Sequence, residues 1–403
     1  MYVTSTPAAL PRRGARQPAR SLLQRLTARI RHGSLTLTLP DGTTIHHDGA
    51  EAGPQGHVSL RNWRALRRIA WRGDLGFAEG YIAGDWTSPD LTRLIALAAA
   101  NVAALDALLD GSLPLRLVRR LTHALRGNSR RGSRRNIAFH YDLGNDFYQE
   151  WLDDSMTYSA ALGLASGQSL ESAQAEKLDR IAALLGAGRG DHVLEIGCGW
   201  GALAARLARE AGQVTAITLS REQLAYARQR RLAPGASVDW RLQDYRAVDA
   251  QFDRVVSIEM LEAVGEAWWP TWFGKVHDCL KPGGRAVVQV ITIAEDRYDH
   301  YRGTPDFIQR YIFPGGMLPT RTILQREASA AGLVLTHEER FAGGYAATLA
   351  EWRRRFRAGW DRIAPLGFDD RFRRLWEYYL CYCEAGFQTG QIDVGLYVLE
   401  RPG

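Results

Sequence analysis

Acidic residues are missing from the first 32 positions of this 403-residue chain, and lysine occurs only at Lys177, Lys275 and Lys281. Nearly all of the positive charge behind the formal net charge of +7 is therefore arginine. No apolar run is long enough to span a bilayer, which excludes an ordinary transmembrane helix. The cysteines, Cys198, Cys279, Cys381 and Cys383, lack the spacing of a disulfide framework or a metal site. With no signal-peptide pattern, the expectation is a reducing cytoplasm and no bound metal. A hydrophobic content of 46% excludes a disordered chain, and the length suggests two domains.

The arginines are concentrated. Arg116, Arg119, Arg120, Arg126, Arg130, Arg131, Arg134 and Arg135 follow one another with no Asp or Glu between them. Such a block fits an anionic membrane surface first, a solvated linker second and nucleic acid last. In the basic segment 1–32, Leu22, Leu23, Leu26 and Ile30 recur at helical spacing. That segment reads as a surface-lying amphipathic helix or equally as a frayed terminus.

Residues 33–125 read as a small α+β accessory domain. Leu35, Leu37 and Leu39 alternate with polar residues before Asp41-Gly42, a hairpin signal. Trp63 to Trp71 and Leu91 to Leu109 read as helices, with turn and packing chemistry in the glycine-aromatic stretch Leu75 to Trp86. The stretch 126–136, rich in Arg, Gly and Ser, reads as a linker before a domain at 137–403.

That domain is organised around Val193-Leu-Glu-Ile-Gly-Cys-Gly-Trp-Gly-Ala-Leu-Ala204: a strand, a turn with Gly197, Gly199 and Gly201, and a helix. Glycines let a backbone approach a ligand closely. Glu195, just before the first of them, would repel a pyrophosphate and attract a cationic, amino-bearing ligand, which favours S-adenosylmethionine over a dinucleotide. Strands then recur near Val214 to Ser220, Trp240 to Tyr245, Phe252 to Ile258, Lys281 to Ile291 and Ile392 to Leu399, with Ser172 to Leu185 and Arg221 to Arg230 as helices. The alternation implies a mostly parallel α/β sheet with a ligand outside its carboxyl ends, where Thr218, Gln243, Asp244, Ile258 and Gln289 fall. Residues 292–340 read as a lid insertion, and Trp352 to Leu380 as an aromatic helix.

Thr218-Leu-Ser-Arg-Glu-Gln223, Gln243-Asp-Tyr-Arg246 and Lys281-Pro-Gly-Gly284 join the glycine turn as a set resembling a class I S-adenosylmethionine-dependent methyltransferase. More narrowly, His140-Tyr-Asp-Leu-Gly-Asn-Asp146, Met156-Thr-Tyr-Ser159, Glu259-Met-Leu-Glu-Ala-Val-Gly265, Tyr311-Ile-Phe-Pro-Gly-Gly316 and Tyr378-Tyr-Leu380 resemble the cyclopropane-fatty-acyl-phospholipid synthase family. The resemblance implies a Rossmann-like doubly wound sheet with an antiparallel last strand. It also implies cofactor contacts from Tyr158, Ser159, Glu195, Gly197, Gly199, Thr218, Gln223, Gln243, Asp244 and Ile258. Family enzymes add the sulfonium methyl to an acyl double bond, and a bound bicarbonate then removes a proton to close a three-membered ring.

Glu262, Ile291 and Tyr345 match the family's anion-binding residues. Ala160 stands where many members have Cys, and Gln289 where many have His. The resemblance thus implies Glu262, Tyr345, Gln289 and Ile291 as the reacting-centre residues, with Glu262 holding bicarbonate through a protonated carboxyl or acting as base. Cys383 reads as packing. The expected activity is C-methylation of unsaturated phospholipid acyl chains to cyclopropanes, at the inner face of the membrane. A methylene- or methyl-branched product and a non-catalytic lipid-binding protein are the rivals. No Asn-Pro-Pro-Tyr or Asp-Pro-Pro-Tyr supports a nucleic-acid substrate, and a homodimer is left open.

Overall fold

The computed structural model describes residues 23–24, 27–102, 104, 143–164 and 167–403. The Arg116 to Arg135 block, the 126–136 linker, most of the segment 1–32, His140 and Tyr141 lie outside them. The chain divides into two compact units, 1–113 and 114–403. Among the described residues no helix is long and apolar enough to cross a membrane.

The first unit carries a four-stranded sheet in the order β2-β1-β3-β4, with β1 at His32–Thr38, β2 at Thr44–Asp48, β3 at Glu51–Leu60 and β4 at Trp86–Thr87. The expected hairpin is present: β1 and β2 pair antiparallel, Gly42 takes a left-handed φ of 81°, and Thr43 donates its amide to the Asp41 carboxylate. Strand β3 was not legible, because Gly53, Pro54 and Gly56 break its pattern. It pairs parallel to β1, and the glycines are what allow the approach, since a Cβ on Gly33 would lie 2.0 Å from the Pro54 carbonyl oxygen.

A second difference lies at Leu75 to Trp86. The helix Arg64–Ile82 bends at Gly73 and runs on through that stretch. Its glycines serve close packing: a Cβ on Gly76 would come within 1.9 Å of the Arg68 carbonyl oxygen, and one on Gly80 within 2.8 Å of Trp86. Trp86 is buried, stacks on Phe77 at 4.2 Å and donates Nε1–H to the Phe77 carbonyl.

The second unit holds a seven-stranded sheet: β5 His192–Ile196, β6 Gln213–Thr218, β7 Val238–Leu242, β8 Phe252–Ile258, β9 Leu280–Ile293, β10 Val334–Arg340 and β11 Ile392–Glu400, ordered β10-β11-β9-β8-β5-β6-β7. Strands β5 to β9 pair in parallel, and β11 runs antiparallel to both β9 and β10. Two apolar clusters enclose the sheet, one centred on Leu194, Ile217, Val255, Trp272 and Val288, the other on Val193, Val214, Val256, Val287 and Leu396. Neighbouring residues of β5 and β8 thus bury opposite faces, the pattern of a strand covered on both sides. Helix starts are set by side-chain caps: Ser169 accepts from Ser172 N–H, Ser220 from Gln223 N–H, and Asp369 from Phe372 N–H.

The insertion is shorter than 292–340. Thr320 caps the helix Arg321–Ala330, and β10 then joins the sheet edge. Its exposed, charged sequence is that of an edge strand and carries no alternating apolar signal. The aromatic stretch is likewise two helices, Ala342–Ala358 and Asp370–Gln388, separated around Pro365 and Gly367, whose φ is 103°.

The sharpest demand on the glycine turn is at Gly201, with φ 85° and a would-be Cβ only 2.5 Å from the Trp240 ring. Gly201→Ala should cost on the order of 2–3 kcal/mol, because neither the backbone nor the ring can move away cheaply. Calorimetry should show a lower unfolding midpoint, and an unchanged midpoint would contradict this account.

Candidate active site

The carboxyl ends of β5, β6 and β8 open on a cavity of about 170 Å³. Tyr158, Ser159, Glu195, Gly197, Gly199, Thr218, Gln223, Gln243 and Ile258 all line it. Asp244 does not. Both of its carboxylate oxygens are engaged by Arg246, at 2.9 and 2.7 Å, and Arg246 lies over the rings of Tyr245 and Trp268. The pair fastens the turn after β7, a role that strand-end position alone does not reveal.

Positive φ at Gly197 and Gly199, 83° and 52°, keeps the turn's backbone open to the cavity. A Cβ on Gly197 would press within 2.9 Å of the Met260 side chain. Beyond β6, Thr218 Oγ donates to Gln223 Oε1 at 3.0 Å and receives the Ser220 amide. Hydroxyl and amide groups are thereby fixed where a polar sugar could be met.

Glu195 is 3% exposed and its Oε2 has no hydrogen-bond partner. Burial pushes its carboxyl up to about 8. Below it lies Lys177, one of the three lysines and wholly buried, which donates to Ser159 Oγ at 2.6 Å. Burial drives its ammonium down to about 8, against the pull of Glu259, Asp153 and Glu195. Nothing in the motifs pointed to Lys177. Its place on the buried face of the helix Leu170–Leu185, with Ala173, Gln174 and Ile181, was readable from helical spacing.

The four residues expected at the reacting centre gather beside this cavity without lining it, and a fifth stands between. Glu259, directly after β8, lines the cavity wall. Its Oε1 accepts the Ala160 amide at 2.9 Å and Gln289 Nε2 at 2.7 Å, and its Oε2 accepts the Tyr345 hydroxyl at 2.7 Å. Its own amide donates to the Gln289 carbonyl at 2.8 Å. The donors that a small anion would use are therefore engaged by a side chain of the protein. Glu262 stands apart from them: its Oε1 accepts the Ile291 amide at 2.6 Å, and its Oε2 is shut away without a partner. Burial, with Glu259 nearby, pushes the Glu262 carboxyl up to about 8. Rings close the region: Tyr345 stacks on Phe387 at 4.5 Å, and the Tyr158 and Tyr379 hydroxyls meet at 2.7 Å. Cys383 is partly buried and its thiol is pushed well up by burial, as packing rather than reactivity requires.

The cavity fits a methyl-donor cofactor. The buried Glu195 Oε2 has no partner, the space beside Gly199 holds no atom within 4 Å of a would-be Cβ, and no metal-binding cluster exists among the described residues. Fold and cavity together define an S-adenosylmethionine-dependent methyltransferase. Residues 128–396 match the family model of mycolic acid cyclopropane synthetase, and the chain belongs to that family. It is 41% identical to the tuberculostearic acid methyltransferase UfaA1 of Mycobacterium tuberculosis, over 92% of this chain and 89% of that one. It is 35% identical to the cyclopropane-fatty-acyl-phospholipid synthase of Escherichia coli, over 85% and 87%. The crystal structure of mycolic acid cyclopropane synthase CmaA1 complexed with SAH and CTAB superposes with a TM-score of 0.62 at 30% identity, covering 66% of this chain and 98% of that one.

Glu262 gives a pH test. Its carboxyl is raised from 4.5 to about 8 in the folded protein, so the unfolded chain loses that proton first as pH rises. The group therefore destabilises the fold progressively between those values, by about 1.4 kcal/mol per unit. Glu262→Gln keeps an oxygen for the Ile291 amide and removes the titration. Its gain in thermal midpoint over the parent should be larger at pH 8 than at pH 5; equal midpoint differences at both would refute the assignment.

Proposed function

We propose that this protein methylates the double bond of an unsaturated phospholipid acyl chain, with loss of a proton closing a cyclopropane. The observation that carries the reading is a carboxylate, Glu259, held beside the methyl-donor cavity and backed by aromatic rings. That is an arrangement for a transient carbocation. An amine or alcohol acceptor would instead call for a base directed at its own N–H or O–H.

When bound, S-adenosylmethionine supplies an electrophilic methyl on a cationic sulfur. Glu195 would take the cationic amino end of that ligand, and its raised carboxyl means that ionisation accompanies binding. Ser159, held by Lys177, and Tyr158 would fix the same end. Thr218 and Gln223 would hold the ribose, and Gln243 the adenine side. An alkene is a weak nucleophile, so the gain must come from positioning in a dry site, where the faces of Tyr345, Phe387 and Tyr379 favour positive charge. Gln289 and Tyr345 would then act by orienting Glu259, and Ile291 by orienting Glu262.

A branched product is the second reading. It is favoured by the 41% identity to a protein named tuberculostearic acid methyltransferase, and by Ala160 offering only its backbone amide. Both readings share the methyl transfer and differ in the fate of the cation.

Purified protein incubated with S-adenosylmethionine and vesicles of monounsaturated phospholipid should release S-adenosylhomocysteine. The lipid product should show high-field ring-methylene protons in its NMR spectrum. Vinylic methylene or branched methyl signals would select the second reading, and no release would overturn both. Glu195→Gln should weaken S-adenosylmethionine binding by about ten- to a hundredfold in calorimetry, the loss expected for a charge-assisted hydrogen bond.

A further inference from the structure

Glu259 is held in a costly conformation. It is one of only two non-glycine residues with left-handed φ among the described residues, at 49°, where a side chain other than Asn, Asp or Gly is unusual. Such strain persists only when the surroundings over-determine it. Here they do: the amide is fixed to the Gln289 carbonyl, and the carboxylate is fixed by Ala160, Gln289 and Tyr345. Of these, Ala160 is fully buried and Gln289 is 1% exposed, while Glu259 itself keeps part of its surface open to the cavity. Three converging donors form a socket for one small oxyanion, and the strained backbone delivers a carboxylate into it.

The neighbouring groups leave Glu259 as the base. Glu262 stays protonated near neutral pH, chiefly because it is buried and secondly because Glu259 stands beside it. Tyr345 is driven well above its ordinary range by burial and by Glu259, so it donates rather than accepts. Burial raises the affinity of the Glu259 carboxylate for a proton, although Ala160, Tyr345, Lys177 and Gln289 oppose the shift.

Resting on the proposed methylation of an acyl double bond, we infer that Glu259 is a built-in base that takes the place of a dissolved anion and makes turnover independent of bicarbonate. In the first step the π pair of the alkene forms the new C–CH3 bond, and the C–S bond breaks with its pair left on sulfur. The adjacent carbon becomes a cation. In the second step a C–H bond of the added carbon gives its electron pair to that cation, closing the ring, and the proton passes to a Glu259 oxygen. The carboxyl returns the proton to solvent once product has left.

Two variants separate this from a structural role. Glu259→Gly removes the carboxylate and relieves the backbone, because glycine adopts positive φ freely, which offsets part of the cost of leaving its donors unpaired. It leaves the three donors facing an empty socket. Glu259→Gln fills the socket with a group that cannot take a proton.

In carbon-dioxide-free buffer the parent enzyme should turn over at its full rate, and added bicarbonate should not change it. Both variants should lose about 10²–10⁴ in turnover, the range for a general base. Bicarbonate or formate should restore Glu259→Gly and leave Glu259→Gln inactive. Calorimetry without cofactor or lipid gives an independent reading: bicarbonate should bind Glu259→Gly and not the parent. A parent enzyme that needs or binds bicarbonate, or a Glu259→Gly variant fully active without it, would overturn the inference. Should the parent release no S-adenosylhomocysteine with any unsaturated lipid, the proposed function fails while the anion-binding measurement still reports on the socket.

Discussion

Charge removed from water is the constraint on which the site depends. Lys177 is wholly buried and Glu195 nearly so, and Glu259 and Glu262 stand deep beside the same cavity. Four ionised groups in so small a volume would be prohibitive, because each carries a desolvation penalty that only close partners offset. The protein reduces the number. Burial raises the Glu262 and Glu195 carboxyls and lowers the Lys177 ammonium, which reduces the charge held there near neutral pH. A cationic ligand bound beside Glu195 would bring a positive charge, and its binding and the carboxyl's ionisation would then reinforce one another. Burial raises the Glu259 carboxyl too, and there three donors and Lys177 oppose the shift.

The backbone is organised to the same end. The two non-glycine residues with left-handed φ among the described residues, Met156 and Glu259, both line the cavity. Each is locked by its neighbours: the Asp153 carboxylate accepts the amides of Ser155 and Thr157, and the Met156 amide is bound to the Asp153 carbonyl. Glu259 is locked to β9 through Gln289. The parallel sheet, buried on both faces, is the rigid base that lets two such segments persist.

The glycine turn and the order of strands were legible because they are local: a Gly-rich bend between an apolar strand and an apolar-periodic helix is the pattern of a ligand-facing turn. Strand β10 was hidden by its charged edge sequence, and β3 by Gly53, Pro54 and Gly56, whose use is close approach to another strand. Asp244 falls at a strand end yet does not line the cavity, and both of its oxygens accept from Arg246, a pairing that strand-end position does not reveal. Glu259 was visible as a letter in the run to Gly265, but its role depends on Ala160 and Tyr345, which are 99 residues before it and 86 after it. Only the fold brings those donors together. Lys177 was nearer to being readable, as a lysine on a largely apolar helix face in a chain that uses arginine almost everywhere else.

A site that binds a sulfonium must keep stray nucleophiles from its methyl group. The groups nearby are kept out of their reactive forms by burial: the thiols of Cys198 and Cys383 and the hydroxyls of Tyr345 and Tyr379 are all pushed up, so none ionises near neutral pH. A free carboxylate would be an exception, able to trap a cation as an ester. Three hydrogen bonds to Glu259 occupy the lone pairs that such an attack would use and fix the group's distance from the cavity. A proton is small and can still be transferred to an oxygen along a remaining lone pair, whereas a carbon centre needs closer approach and a reoriented carboxylate. The same three contacts therefore hold the carboxylate in place with a lone pair left for a proton, while burial raises its affinity for one.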